Sequence, residues 1–527
     1  MKNKYIFAFI FAMFIFSSCE KDVLNKGPLD AVDENLVWTD PGLAQLFVND
    51  LYNSIPGGLW RQVDDASDVS EAAHSWLAAI FYNIGDVTPS NSPFECWGLY
   101  NQIRSTNVFL ENAAPKEANA AAFNTIKGEA IFLRAYFYAE LVRFYGGVPI
   151  ITKPQKLTDN LSVSRNTYDE CITYISDEMD KAAALLPDSW EGNMVGHATK
   201  GAALAIKARM LLYAASSLNN PSNDQVKWQK AADANKAVID LETYSLYDKG
   251  YSKLFLDDNN QEVIFDIQLG YPYRIMNYEY RNNPTGLNGA YGMTRPTQDF
   301  IDMYEMANGK AISDPASGYD PNNPYEGRDP RFYASILYNN VEWRGGTVET
   351  FVNGLYGPNG INTYGTDAAM TGYYLKKYLD QTRSMDKEQA NWILIRYAEI
   401  LLNYAETQIA LGNEDEARTY INMVRERVGM PATTATGTDL INLYRNERTI
   451  ELSFEEQRFF DVRRWKIADV ALNHPVHKMT ITKNDDGTFS YLVEEMEDRV
   501  FTDKFYRAPI PQSETQKNKN LIQNPGY

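Results

Sequence analysis

Over much of the chain, apolar residues recur every third or fourth position, the spacing of helices that bury one face. Asp40-Pro41 predicts the start of the first, with Asp as N-cap and Pro in the first turn. Leu43, Leu46, Phe47 and Leu51 form its expected inner face, ended by Pro56-Gly57-Gly58. Residues 59–94 mix Trp, Asp, Ser and Pro without a period. The helical pattern then returns over 97–113, 118–145, 168–186, 200–218 and 228–241. The helix at 200–218 is alanine-rich (Ala202, Ala203, Ala205, Ala208), so a neighbouring helix can approach closely. A further pair spans 392–411 and 414–428. In it Ala405, Ala417, Ile421 and Val424 match the small and apolar positions of a tetratricopeptide-type helix pair. Residues 200–241 form a looser copy. Such a unit cannot bury its own face, so several must stack; a generic helical bundle is the alternative.

Between 244 and 380 the helical pattern breaks. Residues 262–267 read as a short strand, and Gly, Asn, Pro and Tyr dominate from there to 380. Long patternless insertions in a compact protein are functional or disordered, and abundant tyrosine argues against disorder. Specificity is expected here. The expected fold is all-α, mostly helical: helix pairs as scaffold, with an irregular, loop-rich subregion containing short strands. The expected division is 39–243 and 244–527, with helical repeats at 392–470.

The N-terminus has a different pattern. Lys2 and Lys4 precede an unbroken apolar run at 5–16, then Ser17-Ser18-Cys19 and the polar Glu20-Lys21-Asp22. This reads as a secretory signal over 1–18, too short for the roughly 20 residues that span a bilayer. Small residues ending in cysteine resemble the lipobox of bacterial lipoproteins, whose thiol is acylated and becomes the new N-terminus. On that reading Cys19 is the lipidation site, 19–38 is a tether, and the protein works on a membrane face outside the cytoplasm. An ordinary signal peptide with an incidental cysteine is the alternative.

Composition narrows the choices. A net charge of −19 argues against nucleic acid as partner, since phosphate-backbone binding needs a basic surface. Beyond Cys19 only Cys96 and Cys171 remain, too few for a disulfide framework; buried free thiols are favoured over a pair. His74, His197, His474 and His477 are the four histidines, which leaves little room for a His-based metal or catalytic centre. The unusual count is aromatic, with 35 Tyr and 9 Trp.

Four stretches carry a resemblance. The first is Gly128-Glu129-Ala130-Ile131-Phe132-Leu133-Arg134-Ala135-Tyr136-Phe137-Tyr138, running on to Tyr145-Gly146-Gly147-Val148-Pro149. The second is Arg396-Tyr397-Ala398-Glu399-Ile400-Leu401-Leu402-Asn403-Tyr404-Ala405-Glu406. The third runs from Asn446-Glu447-Arg448 through Glu451-Leu452, Phe454-Glu455 and Arg458 to Asp461, Arg463, Arg464 and Trp465. The last is Pro509-Ile510-Pro511 with Leu521-Ile522-Gln523-Asn524-Pro525-Gly526-Tyr527. With the lipobox, these make the chain resemble the SusD/RagB family of Bacteroidetes outer-membrane lipoproteins over nearly its whole mature length. The resemblance implies tetratricopeptide-like pairs, an irregular binding face, no catalysis and no cofactor. It also implies an oligosaccharide or other nutrient as ligand, held on the outer face of the outer membrane. The partner it implies is a SusC-like, TonB-dependent β-barrel, over which the protein closes like a lid.

The charged motifs could be drawn as an active site. Glu447, Arg448, Glu451, Glu455 and Arg458 are expected to share a helix at spacings of three and four, so that opposite charges can meet, and Arg396–Glu399 and Glu129–Arg134 are similar. Among 69 acidic residues such adjacency identifies nothing, and structural ion pairs between stacked helices are the preferred reading. His474-Pro475-Val476-His477 lacks a third metal ligand. Asp64-Asp65-Ala66-Ser67-Asp68 lacks the Gly and distal Glu of an EF-hand loop, so a solvated or helix-capping role is expected.

Sugar binding needs flat rings for the C–H face of a pyranose and polar groups for its hydroxyls, on a mostly apolar surface. The expected carbohydrate-binding candidates lie in the two irregular segments. They are Trp60, Trp76 and Tyr82 with Asp68 and Asn83, and Tyr273, Tyr291, Trp343 and Tyr364 with Arg344. Trp97, on a helix with Tyr100 and Ile103, reads as core. The rival functions are a protein-interaction scaffold that uses its repeats to hold a peptide or subunit, and a glycan hydrolase.

Overall fold

The computed structural model describes residues 34–58, 63–270, 274–361, 370–386 and 390–527. The signal, lipobox and tether readings up to residue 33 lie outside them. Helix α1 (Pro41–Tyr52) starts as the sequence predicts, the Asp40 carboxylate accepting the Leu43 N–H at 3.0 Å. Its buried stripe is Ala44, Val48 and Leu51, while Leu46 is 64% exposed. The inner face is thus rotated from the expected one, because the smaller Ala44 and Val48 are turned inward where α1 packs on α3.

Five long helices follow among the described residues: α2 (Tyr100–Asn112), α3 (Ala120–Tyr145), α4 (Tyr168–Ala183), α5 (Lys200–Ala215) and α6 (Gln225–Ile239), each packed on the next. The α3 helix is buried on all sides from Gly128 to Tyr145 and acts as the central post. A capping box starts α4, with Thr167 and Glu170 satisfying each other's backbone N–H groups. After the irregular insertion come α7 (Tyr397–Ala410), α8 (Glu414–Arg427), α9 (Gly437–Leu452) and α10 (Arg458–Arg464). Helix α7 packs against α6 as well as α8, so helices separated by more than 150 residues continue one stack. Ala405, Ala417, Ile421 and Val424 are fully buried in it. The architecture is mostly helical with short strands in the loops, as the pattern predicts.

Two local expectations are corrected. Residues 392–396 are strand β4 (Trp392–Arg396), paired antiparallel with β2 (Val263–Ile267), and the helix begins only at Tyr397. An unbroken apolar run has no period to distinguish a buried strand from a buried helix. The charged motif at 447–458 is also not one helix: α9 ends at Leu452, and Phe454 and Glu456 adopt φ of 61° and 60° before α10 starts.

Apart from Asp461 and Arg464, three apart on α10 and 2.7 Å from one another, the motif charges described next pair across elements. Arg209 of α5 donates to both carboxylate oxygens of Glu399 on α7, at 2.7 and 2.6 Å. Arg134 pairs with Glu178, and Glu129 meets His197 at 2.6 Å. Arg396 reaches Glu262, Glu451 and Glu455, each at 2.7 Å, binding the insertion to the helices. Arg448 takes Asp461 at 2.8 Å. All these groups are buried except the partly exposed His197, and buried pairs of this kind fix register more readily than they add stability. Cys96 and Cys171 are buried and free.

Candidate ligand-binding site

The two irregular segments meet through a small sheet. Strand β1 (Ser70–Ala72) pairs antiparallel with β3 (Thr294–Pro296), Ser70 opposite Pro296 and Ala72 opposite Thr294. The pairing is extended by the Ala73 N–H, which donates to Met293 O at 2.8 Å. Residues just past β1 are thereby set beside residues just before β3. On one side stands His74-Ser75-Trp76, on the other Tyr291.

Trp76 is 63% exposed and lies over the His74 ring, with centroids 5.4 Å apart and planes within 11°. His74 is itself only 6% exposed, so it forms a floor under the indole. Its Nε2 lies 3.0 Å from Tyr291 O, and its ring meets that of Tyr291 edge-on at 6.3 Å. Tyr291 is 38% exposed and is backed by Tyr280 at 5.3 Å and 82°. The result is a ring surface open to solvent and braced from below. Gly292 makes the bend after Tyr291 at φ 56°; a Cβ there would come within 2.6 Å of the Tyr374 ring and 2.8 Å of Thr285 Oγ1.

Beneath β1 lies a buried acidic group. The Arg499 guanidinium donates to Glu71 at 2.5 Å and to Ser70 O at 2.8 Å, and Asn83 donates to Asp65 O at 3.1 Å and to Glu71 at 3.3 Å. Burial, helped by the charge of Glu71, lifts the Glu497 carboxyl to about 7 against the pull of Arg499. Burial likewise lifts Asp64 to about 7, with the charges of Glu456 and Glu455 adding and the Glu456 N–H opposing. Asp65 is raised by burial too.

The remaining candidates fare differently. Trp60, Tyr273 and Tyr364 lie outside the described residues. Asp68 is buried and held by both arms of Arg458, at 2.7 and 2.6 Å, and Asp64 and Asp65 are buried with it, so the run 64–68 is not solvated. Tyr82 is 5% exposed, stacked on Phe94 at 5.6 Å and packed edge-on against Phe459 at 5.4 Å. Asn83 is buried against Asp65 and Glu71 as described. Trp343 is 5% exposed, its Nε1–H donating to Asn283 Oδ1 at 2.7 Å. Arg344 sits in a two-residue hairpin turn with Gly345, at φ 49° and 77°, a type I′ arrangement. Its guanidinium folds back to Glu279 at 2.8 Å and Arg383 O at 2.9 Å. Trp343 and Arg344 fasten the insertion to itself, the other three fasten the 63–94 segment to its surroundings, and none of the five offers an open face. Of the candidates within the described residues, the fold brings Trp76 and Tyr291 together at the surface. Sequence reasoning passed over His74 and Tyr280; the alternation His74-Ser75-Trp76 after a strand was the available signal for the first.

Known proteins share this architecture. A family model described as the SusD family matches residues 261–527, half of the chain. The chain belongs to the SusD family. A second model, described as starch-binding and associating with the outer membrane, matches residues 43–212 of this SusD-family protein. A SusD-like protein of Bacteroides fragilis, solved as a crystal structure, is 32% identical with a TM-score of 0.80, covering 95% of this chain and 100% of that one. A SusD-like carbohydrate-binding protein of the same species has the same fold at 24% identity and a TM-score of 0.81, covering 92% and 100% of the two chains. SusD-like protein P2 of Formosa agariphila is 26% identical over 453 residues, 81% of this chain and 79% of that protein.

Proposed function

We propose that this SusD-family protein binds an oligosaccharide or polysaccharide nutrient at the cell surface, on the ring surface of Trp76 and Tyr291, and carries out no chemistry on it. The observation that supports this most is an indole 63% open to water yet stacked on a buried imidazole. Large apolar rings left in solvent cost free energy unless something covers them, and a pyranose face fits such a ring. The arginines and carboxylates of the charged motifs are engaged in ion pairs of the scaffold, which favours binding over hydrolysis. A carbohydrate-binding protein of the same fold supports the ligand class.

In this reading Cys19 carries the lipid that anchors the chain to the outer membrane, facing outward, and a SusC-like TonB-dependent barrel receives the ligand. Capture beside a transporter raises local concentration, so modest affinity suffices. Trp60, Tyr273 and Tyr364 are additional candidate contacts from the sequence. A glycan panel screened by calorimetry tests the proposal: heat with at least one oligosaccharide, and no shortened products after incubation, are expected. Tight binding to a peptide with no heat from any glycan favours the scaffold reading, and release of shorter sugars favours a hydrolase.

A further inference from the structure

The two open rings of the binding surface are not parallel, and one buried side chain sets the angle between them. Trp76 lies within 11° of the His74 plane, whereas Tyr291 stands at 87° to it. The indole and the phenol therefore meet close to a right angle, as two walls of a corner rather than a flat shelf.

His74 holds both walls. The Leu77 N–H donates to His74 O at 3.0 Å, closing a turn in which the Trp76 ring folds back over the imidazole. His74 is the one ring in contact with that indole among the described residues. A carbonyl oxygen only accepts, so His74 Nε2 carries a proton and donates to Tyr291 O, 3.0 Å away. The same carbonyl accepts from Thr285 Oγ1 at 3.0 Å, and Thr285 Oγ1 accepts from Arg295 at 2.7 Å. Tyr291 is thus anchored from both sides, with Tyr280 behind its ring, while the indole takes its orientation from His74. The imidazole is 6% exposed beneath the indole, so it acts through the two rings and not by touching sugar.

On the carbohydrate-binding reading above, on which this rests, we propose that His74 is the positioning residue of the site. By holding Trp76 and Tyr291 at a right angle, it selects glycans whose chains turn over glycans that lie flat. Where the two linkage bonds of each sugar are equatorial and opposite across the ring, as in cello- and manno-oligosaccharides, successive rings form a nearly planar ribbon. A ribbon covers one wall of the corner and leaves the other uncovered. Where the linkage turns the chain, as in malto- and laminari-oligosaccharides, neighbouring sugars are inclined. One then stacks on Trp76 while the next meets Tyr291. Rings braced at a fixed angle discriminate shape because they lose little freedom on binding.

Calorimetry on the full chain with maltohexaose, laminarihexaose, cellohexaose and mannohexaose tests it. At least one of the first two is expected to bind about ten-fold or more tighter than either of the last two. His74→Ala is expected to shrink that ratio about two- to ten-fold, the scale of a lost aromatic pair. His74→Phe keeps a flat floor under the indole and should retain most of the ratio. His74→Gln keeps a donor for Tyr291 O without the floor and should not. Melting curves identify the folded variants, and the Phe and Gln variants carry the comparison if the alanine variant unfolds. A wild-type ratio in folded His74→Ala, or the same ratio in the Phe and Gln variants, overturns the positioning role. A flat glycan bound as tightly as the turning ones, with that binding lost in Trp76→Ala, overturns the inference and leaves the ring surface standing. No heat from any of the four also overturns it, without deciding the wider glycan reading. Binding undiminished in the Trp76→Ala, Tyr291→Ala double variant removes the ring surface itself, and the inference with it.

Discussion

At the scale of single residues, exposure separates two kinds of aromatic that look alike in the sequence. Trp76→Ala removes a mostly exposed ring stacked on His74. It should weaken sugar binding about ten-fold or more, as a central aromatic contact does, with the melting temperature nearly unchanged. Trp343→Ala removes a buried indole and its bond to Asn283; denaturant melts should show a loss of about 3–5 kcal/mol, with affinity retained in the folded fraction. Both tryptophans sit in patternless segments, and burial there depends on which distant strand pairs with which, so the sequence could name the class of residue but not choose among its members. Glu497 gives a pH-dependent test. It is lifted to about 7 when folded, against 4.5 for the free side chain. Between those values the folded state keeps a proton that the unfolded state has released, so the contribution of this group to stability falls as pH rises and stays low above. Glu497→Gln should therefore change the melting temperature little at about pH 5 and raise it relative to wild type at about pH 8. A difference of the same size at both pH values would contradict the assignment.

At the scale of elements, periodicity located the helices and charge located their fastening. Helices α2 to α6 fall within a few residues of where the apolar spacing puts them, because each except the enclosed α3 buries a face against its neighbours and that face must repeat with the helix. Strand β4 was misread for the complementary reason: all five of its residues are buried, so nothing alternates. Partners of the charged residues were not legible either. Arg396 and Glu399 are three apart in sequence yet serve different neighbours, one tying down the insertion and the other joining α7 to α5. Burial pushes the Glu399 carboxyl up, but Arg209 outweighs it and holds the group below its ordinary value. Arg209→Met alone should cost about 3–5 kcal/mol by leaving a buried carboxylate unpaired. The double variant Arg209→Met, Glu399→Leu should recover most of that loss in chemical denaturation, because it removes both charges together.

At the scale of the whole molecule, one stack of helices carries an insertion whose strands bring two distant loops to the same surface. The order of motifs along the chain made the family legible, since the scaffold needs them all; the ligand was not, since loops answer to what they bind. Cys19→Ala should release the protein from outer-membrane vesicles into the soluble fraction, and recovery of the variant in vesicles at wild-type levels would place the anchor elsewhere. The paired rings beyond β1 and before β3 are central to the proposed function. Their most direct test is the affinity of the Trp76→Ala, Tyr291→Ala double variant for a glycan that wild type binds, taken together with its melting curve. Binding should fall below detection while the melting transition stays cooperative and close to that of wild type. Undiminished affinity in that folded variant would contradict the proposal, placing the sugar on some other part of the molecule.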